Sequence, residues 1–384
     1  MKQCTNTLVR CSMLELVKLA LIADWLPTFG GAEHVLAEFH ALWPTAPIFT
    51  TVARRGALGP LDQADIRMSK LQFFYRIFHR HEILLPWMPR VIERIDLQEY
   101  DVILSSSHAV AKGIVPPSSA VHVCYCHTPM RYAWEMEEEY IRDFGIPAFL
   151  RKRVKRFLSA MRRWDLRTAK RVDVFVANSA TTQERIARIY GRESTVIRPP
   201  VDDRFFHSLL LPSAQRQGFL AIGRLVPYKR FDLLIEAANL LKFPLTIVGA
   251  GRDVHRLKAL AGPTVTFLGR VEDDALPRIY GSAKALLFPQ IEDAGVVLEE
   301  AQACGTPVIA LRKGGATETV IEGKTGLFFD EQTLPSLQVA IEQFNNVTFD
   351  AEGIREHARQ FSVERFRREI LNVVSEASSN HSVV

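Results

Sequence analysis

Two glutamates, Glu292 and Glu300, bracket Gly295 in the stretch IEDAGVVLEEAQACGTPVIA, Ile291–Ala310. Carboxylates accept hydrogen bonds from hydroxyl groups and repel phosphates, so the pair suits a ribose and a hexose. On one helix the two would point about 80° apart. With Glu292 in a loop and Glu300 one to two turns into the helix, both can face one pocket. The amides of Gly295, Val296 and Val297 stand where that helix begins, and the helix dipole helps them take phosphate oxygens. Glu292 also suits a helix N-terminus on electrostatic grounds alone, and Glu299 is expected to face solvent.

Three other stretches carry chemistry. In GRLVPYKR, Gly223–Arg230, Arg224 offers a planar fork and Lys229 a point charge, and both can reach a diphosphate. A solvated basic turn is the other reading of the same residues. In PTFGGAEHV, Gly30 and Gly31 allow close backbone approach to a ligand at a helix start. This is not the G-x-G-x-x-G pattern of dinucleotide enzymes, which argues against a dehydrogenase. In YCHTPMRYAW, His127 falls just past a strand, where it can bond a sugar hydroxyl or move a proton. A lone histidine is often structural, but ligands of parallel sheets sit beyond the C-terminal strand ends. Cys124 and Cys126 alternate on the same strand and lack companion metal ligands, so buried thiols are expected.

These residues need a scaffold that lines up strand ends. VKLALIADW, PIFTT, DVILSSS, VHVCYCH, VDVFVANS and STVIRPP read as strands interleaved with helices. NSATTQERIARIYG is a helix capped by Ser179 or Thr181 and stopped by Gly191. The pattern fades over Pro199–Gly218 and restarts with GFLAIGRL, PLTIVGAG, VTFLGRV, KALLFPQ and PVIALRKGG. Short apolar strands alternating with amphipathic helices mean parallel sheets covered on both faces. Two such runs predict an α/β chain of two Rossmann-like domains. The expected boundaries are a loose leader over 1–14, a first domain over 15–200, a linker over 201–217 and a second domain over 218–362. A terminal helix over 363–384 can pack back on the first domain.

Bulk properties agree. A chain of 384 residues is too long for one ordinary core. Its 47% hydrophobic and 24% charged residues exclude a disordered chain. No apolar run is long enough for a membrane-spanning helix, and MKQCTNTLVRCSMLELVK lacks the apolar core of a signal peptide. Five cysteines, an odd number, fit a reducing compartment. The net charge of +5 is unevenly spread, with eleven Lys or Arg against Asp143 and Asp165 over Arg142–Arg171. Such a patch seeks phosphate, in nucleic acid or at an anionic membrane surface.

Taken together, these motifs resemble the retaining glycosyltransferase family 4, with its GT-B fold of two Rossmann-like domains facing across a cleft. The resemblance runs from about Val17 to the C-terminal helix. It rests on an E-x7-E motif at Glu292 and Glu300, on GRLVPYKR and on FGGAE. It implies that a nucleotide diphosphate sugar binds mainly to the second domain. Arg224 and Lys229 would hold the diphosphate, Glu300 the ribose and Glu292 the transferred sugar. Gly31 would close onto the phosphates, His127 would lie by the donor sugar, and VGAGRD and FLGRV would flank the base. No cofactor or metal ion is expected, since arginine and lysine supply the positive charge. CYCHTPMRYAWE with EDAG resembles a bacterial subgroup that builds O-antigen or exopolysaccharide, many members using GDP-mannose. Ala294 replaces a phenylalanine common in that motif, and WEMEEEY is more acidic than the subgroup suggests.

The resemblance also implies a polyprenyl-diphosphate-linked glycan acceptor. Arg67–Arg94 mixes Phe73, Phe74, Tyr75, Ile77, Phe78 and Trp87 with Lys70, Arg76, Arg80 and Arg90. Basic residues attract anionic headgroups and aromatic residues enter the interface, so a cytoplasmic protein docked on the inner membrane face is expected. A buried aromatic core with solvated cations is the plainer reading. Alternatives for the whole chain are a nucleotide-sugar epimerase of the same fold or a non-catalytic binder of nucleotide sugars or nucleic acid. No specific nucleic-acid motif is present.

Overall fold

Apolar runs of four to six residues recur along the chain, and many become strands buried on both faces. LALIA (β1, Leu19–Ala23), VILSSS (β4, Val102–Ser107) and VHVCYC (β5, Val121–Cys126) are buried at every residue. The computed structural model describes residues 17–135, 137–138, 141 and 146–381. The expected leader over 1–14 and the charged pair Arg142 and Asp143 lie outside the described residues.

The first unit holds a seven-stranded parallel sheet in the order β3-β2-β1-β4-β5-β6-β7. Its other strands are β2 (Ile48–Thr50), β3 (Ile66–Met68), β6 (Val174–Ala177) and β7 (Ser194–Val196). Helices α1 (Gly31–Leu42), α2 (Leu71–Phe78), α3 (Ala148–Ala169) and α4 (Ala180–Tyr190) accompany them. Ser179 caps α4 by accepting from the Thr182 amide, and Gly191 ends it in the left-handed region at φ 62°.

The second unit repeats the plan with a six-stranded parallel sheet, β10-β9-β8-β11-β12-β13. The strands are β8 (Phe219–Ile222), β9 (Leu245–Val248), β10 (Val265–Gly269), β11 (Ala285–Phe288), β12 (Val308–Leu311) and β13 (Gly326–Phe329). It holds the helices α5 (Phe231–Leu241), α6 (Val254–Leu260), α7 (Leu276–Ser282), α8 (Val296–Ala303), α9 (Leu334–Phe344) and α10 (Ala351–Ala358), while the last helix, α11 (Val363–His381), belongs to the first unit from Arg367 onward. Alternate residues of β8 enter different cores. Phe219 and Ala221 pack with Leu234 and Leu337, whereas Leu220 packs with Leu298 and Phe361. This is the period-two alternation of a strand covered on both faces.

The first unit comprises residues up to Arg198 together with Arg367 onward, and the second comprises Pro199–Phe366. Within the first unit, Arg367 of α11 donates to Glu38 of α1 at 2.6 Å. Residues 201–217, where the fading pattern suggested a linker, group with the second unit. Phe205 and Phe206 are buried there beside Tyr280 and Cys304, because adjacent aromatic side chains gain more from a core than from water. Two strands escaped the pattern, β3 and β13. Each lies at a sheet edge, and three or four residues are too few for a clear period.

Candidate functional site

In the second unit the expected residues converge on the C-terminal ends of two neighbouring strands. GRLVPYKR follows β8 and the loop with Glu292 follows β11, and these strands pair in parallel. Lys229 Nζ lies 2.9 Å from Glu292 Oε1, with both side chains largely enclosed. Arg224 is exposed and donates to the Tyr228 hydroxyl at 3.3 Å. Gly295 sits at φ 73°, in the left-handed region, and turns the chain into α8. The first amides of that helix, from Val296, are the donors an α-helix leaves without internal acceptors.

Glu300, further along α8, accepts from the Tyr280 hydroxyl at 2.6 Å. Burial raises its carboxyl to about 7, against the opposing pull of Tyr280. Glu299 corrects the sequence reading: it is fully buried, not solvent-facing. Leu298, Ala301, Gln302 and Ala303 are buried with it, so nearly the whole circumference of this short helix is covered.

Glycines fix these loops. A Cβ on Gly249, at φ 131°, would lie 1.9 Å from the Gly223 carbonyl oxygen, and one on Gly251 would lie 2.1 Å from that of Leu225. The loops after β8 and β9 therefore touch backbone to backbone. Gly315 donates its amide to the Glu292 carbonyl at 2.8 Å. Gln332 bridges the loops after β8 and β11, accepting from Arg230 at 3.2 Å and donating to the Pro289 carbonyl at 2.8 Å. Tyr280, Gly315 and Gln332 were missed because their roles arise from contacts far apart in sequence.

In the first unit, Gly30 is the extended N-cap of α1, and the space a Gly31 side chain would occupy is open. His127 follows β5, with Nε2 2.8 Å from Ser106 Oγ. Burial and the neighbouring His108 push its imidazole down to about 3, so the ring is neutral. Two further residues end adjacent strands. Asp24, just past β1, is buried and lies 3.0 Å from His108 Nδ1, just past β4. The rule that ligands gather at C-terminal strand ends, applied to IADW and SSSHAV, would have found both. Cys124 and Cys126 are buried thiols, and burial raises Cys124 to about 12.

Two family models match consecutive parts of the chain. Residues 29–205 match the model described as Glycosyltransferase Family 4, and residues 206–361 the one described as Glycosyl transferases group 1. The chain belongs to the glycosyltransferases that combine these two domains. Among curated family relatives, it is 31% identical over 198 residues to a GDP-mannose-dependent alpha-(1-6)-phosphatidylinositol monomannoside mannosyltransferase of Mycolicibacterium smegmatis, covering 44% of this chain and 52% of the relative. It is 30% identical over 239 residues to a D-inositol 3-phosphate glycosyltransferase of Acidothermus cellulolyticus, covering 53% of each. The chain thus spans about half the length of the curated relatives it matches. Among solved structures, Anabaena HepE with UDP-glucose aligns at TM-score 0.67 and 19% identity, covering 93% of this chain and 99% of that one. Sucrose-phosphate synthase from Thermosynechococcus elongatus aligns at 0.69 and 16%, covering 94% and 100%. These structural likenesses establish the GT-B fold.

The glycosyltransferase chain also carries an exposed apolar and basic surface on its first unit. On α2, Leu71 and Tyr75 turn into the core, which removes Tyr75 from the expected interface. Phe73, Phe74, Ile77, Phe78 and Trp87 remain 47–66% exposed, beside exposed Lys70, Arg76, Arg80 and Arg90. The basic stretch on α3 is partly neutralised. Lys155 pairs with Glu138, Arg162 with Glu137, and Arg167 and Arg171 with Glu93. The acidic segment after Trp134 thus has a structural task. Arg151, Lys152, Arg156 and Arg163 still line one open basic face. Among the described residues no helix is long and apolar enough to cross a membrane.

Proposed function

We propose that this chain is a retaining glycosyltransferase that moves a hexose, with mannose from GDP-mannose as the leading donor, to a lipid-linked or growing polysaccharide acceptor. The observation that carries the reading is the meeting of Lys229 and Glu292 at adjacent strand ends, with Glu300 on the helix that follows. Lys229 and Arg224 would neutralise the diphosphate, and the amides at Gly295, Val296 and Val297 would take its oxygens. Glu300 would accept from ribose hydroxyls and Glu292 from the hexose. A diphosphate held by fixed cations and amides is a stabilised leaving group, so no metal ion need supply the charge.

Transfer would proceed at an oxocarbenium-like carbon. The bond from the anomeric carbon to the phosphate oxygen breaks, the acceptor oxygen bonds that carbon on the same face, and the acceptor proton passes to the departing phosphate. Neutral His127, with Gly30 and Gly31, is the first unit's contribution to donor handling. The relatives whose names specify GDP-mannose favour that donor. The exposed apolar and basic residues around α2 favour a protein docked on the anionic inner membrane face, where a polyprenyl-diphosphate-linked acceptor resides.

A panel of nucleotide sugars scored by thermal shift tests the reading. A ligand at a hundred times its dissociation constant stabilises by about 2.7 kcal/mol. GDP-mannose should lead. Leading UDP-sugars would remove mannose from the reading, and no response to any nucleotide sugar would remove the reading itself.

A further inference from the structure

The first unit ends three central strands, in the spatial order β1, β4, β5, with Asp24, His108 and His127 respectively. Asp24 is held with unusual completeness. Its Oδ2 accepts from the amides of His108 at 2.7 Å and Ala109 at 3.1 Å, and its Oδ1 from those of Val110 and Ala111, each at 2.5 Å. Four amide donors keep a buried carboxylate ionised, and together with His108 they hold it below the usual range although burial opposes this. The same carboxylate grips His108 Nδ1 at 3.0 Å, and the Trp25 ring packs edge-on against the His108 ring at 4.9 Å. The imidazole has a fixed orientation and a permanent counter-charge.

We propose that Asp24 and His108 form a positioning pair for His127, a role that rests on the placement of His127 at the donor sugar. The His108 and His127 rings lie 6.3 Å apart, centroid to centroid. Ser106, on the strand that His108 follows, pairs with His127 Nε2 at 2.8 Å and fixes the ring. The titratable groups around His108 are Asp24 past β1, Glu33 in the first turn of α1, His81 on the far side of Trp25, and His127. Burial works to discharge His108, but Asp24 and then Glu33 outweigh it and raise its affinity for a proton. A charged His108 then adds to burial in discharging His127. Two imidazoles at neighbouring strand ends are thereby driven to opposite protonation states, the arrangement by which one site assigns separate acid and neutral roles. The neutral partner can exchange a hydrogen bond with a hydroxyl group without carrying a charge toward a cationic sugar centre.

The test is a pH titration of the histidine ring signals by NMR on the full chain, wild type and His108→Gln, with assignment from His127→Asn. In the wild type, His108 should titrate above 6.5 and His127 should stay unprotonated down to pH 5. In His108→Gln the midpoint of His127 should rise by about one pH unit or more, and the acid limb of sugar transfer from GDP-mannose should move with it. A wild-type His127 that titrates near 6.5, or a midpoint unchanged in His108→Gln, would overturn the pair. If His108→Gln does not fold, the wild-type titration decides alone. The ring signals do not depend on turnover. Absence of transfer with the expected titrations would therefore remove the glycosyltransferase reading and leave the electrostatic pairing of the two histidines standing.

Discussion

Lys229 and Glu292 come from loops that follow neighbouring parallel strands, and their charged ends meet at 2.9 Å. The lysine available to a phosphate and the carboxylate available to a sugar hydroxyl are thus already partners. Under the proposed function, donor binding would exchange one anion at Lys229 for another and release Glu292 toward hydroxyl groups.

Lys229→Ala removes a charge-assisted contact of about 1.5–3 kcal/mol. It should weaken GDP binding by roughly 10- to 100-fold. Glu292→Gln removes the competing anion, so GDP should bind at least as tightly while sugar transfer falls. Calorimetry with GDP checks both, and wild-type affinity in Lys229→Ala would contradict the assignment.

Glu300 should make nucleotide binding and stability respond to pH in opposite directions. Its folded-state carboxyl, raised by burial to about 7, binds a proton more tightly than the unfolded value of 4.5. Between those values the folded state holds more protons, so stability falls as pH rises, by at most about 3 kcal/mol and less with partial exposure. The ionised form is the better acceptor for ribose hydroxyls, so GDP affinity should increase through pH 7. Both slopes should flatten in Glu300→Gln, as melting and calorimetry from pH 5 to 8 would show.

Lys112→Met should destabilise the first unit strongly. Lys112 is 2% exposed and lies 2.5 Å from Asp165 Oδ1, while Asp165 Oδ2 accepts from Trp134 and Tyr190. Removing one partner of a buried pair costs about 3–5 kcal/mol. Urea unfolding should show that loss, and Lys112→Met with Asp165→Asn should recover part of it.

Gly249→Ala should disorganise the loops after β8 and β9 without touching a charged residue. The added Cβ would meet the Gly223 carbonyl oxygen, and φ 131° is itself unfavourable for alanine. A loss of about 1–3 kcal/mol in stability should accompany weaker GDP binding. An unchanged melting curve would show that the two loops do not pack as described.

Phe73→Ser with Phe78→Ser should reduce sedimentation with vesicles containing anionic lipid, as should Lys70→Glu with Arg76→Glu. Each basic residue near such a surface contributes about 1 kcal/mol, screened by salt. Binding that ignores both pairs of substitutions would leave the exposed aromatic residues of α2 unexplained by a membrane.

Much of this architecture was legible in the chain. Buried strands such as LALIA and ALLF announce themselves, because a parallel sheet covered on both faces needs unbroken apolar runs. The placement of Glu292, Arg224, Lys229 and His127 in segments that follow strands was also legible, since parallel topology brings such loops to one edge. What only the tertiary structure decided was which of these groups meet. Lys229 finds Glu292 across 63 positions of chain, Tyr280 finds Glu300, and Asp24 finds His108 across 84. Burial of Glu299 and solvent exposure of Phe73 and Phe74 reverse what their side-chain types suggest. Pattern along a chain records local conformational preference, whereas burial and pairing depend on which distant surfaces cover a residue, and that is a property of the packed sheets and helices alone.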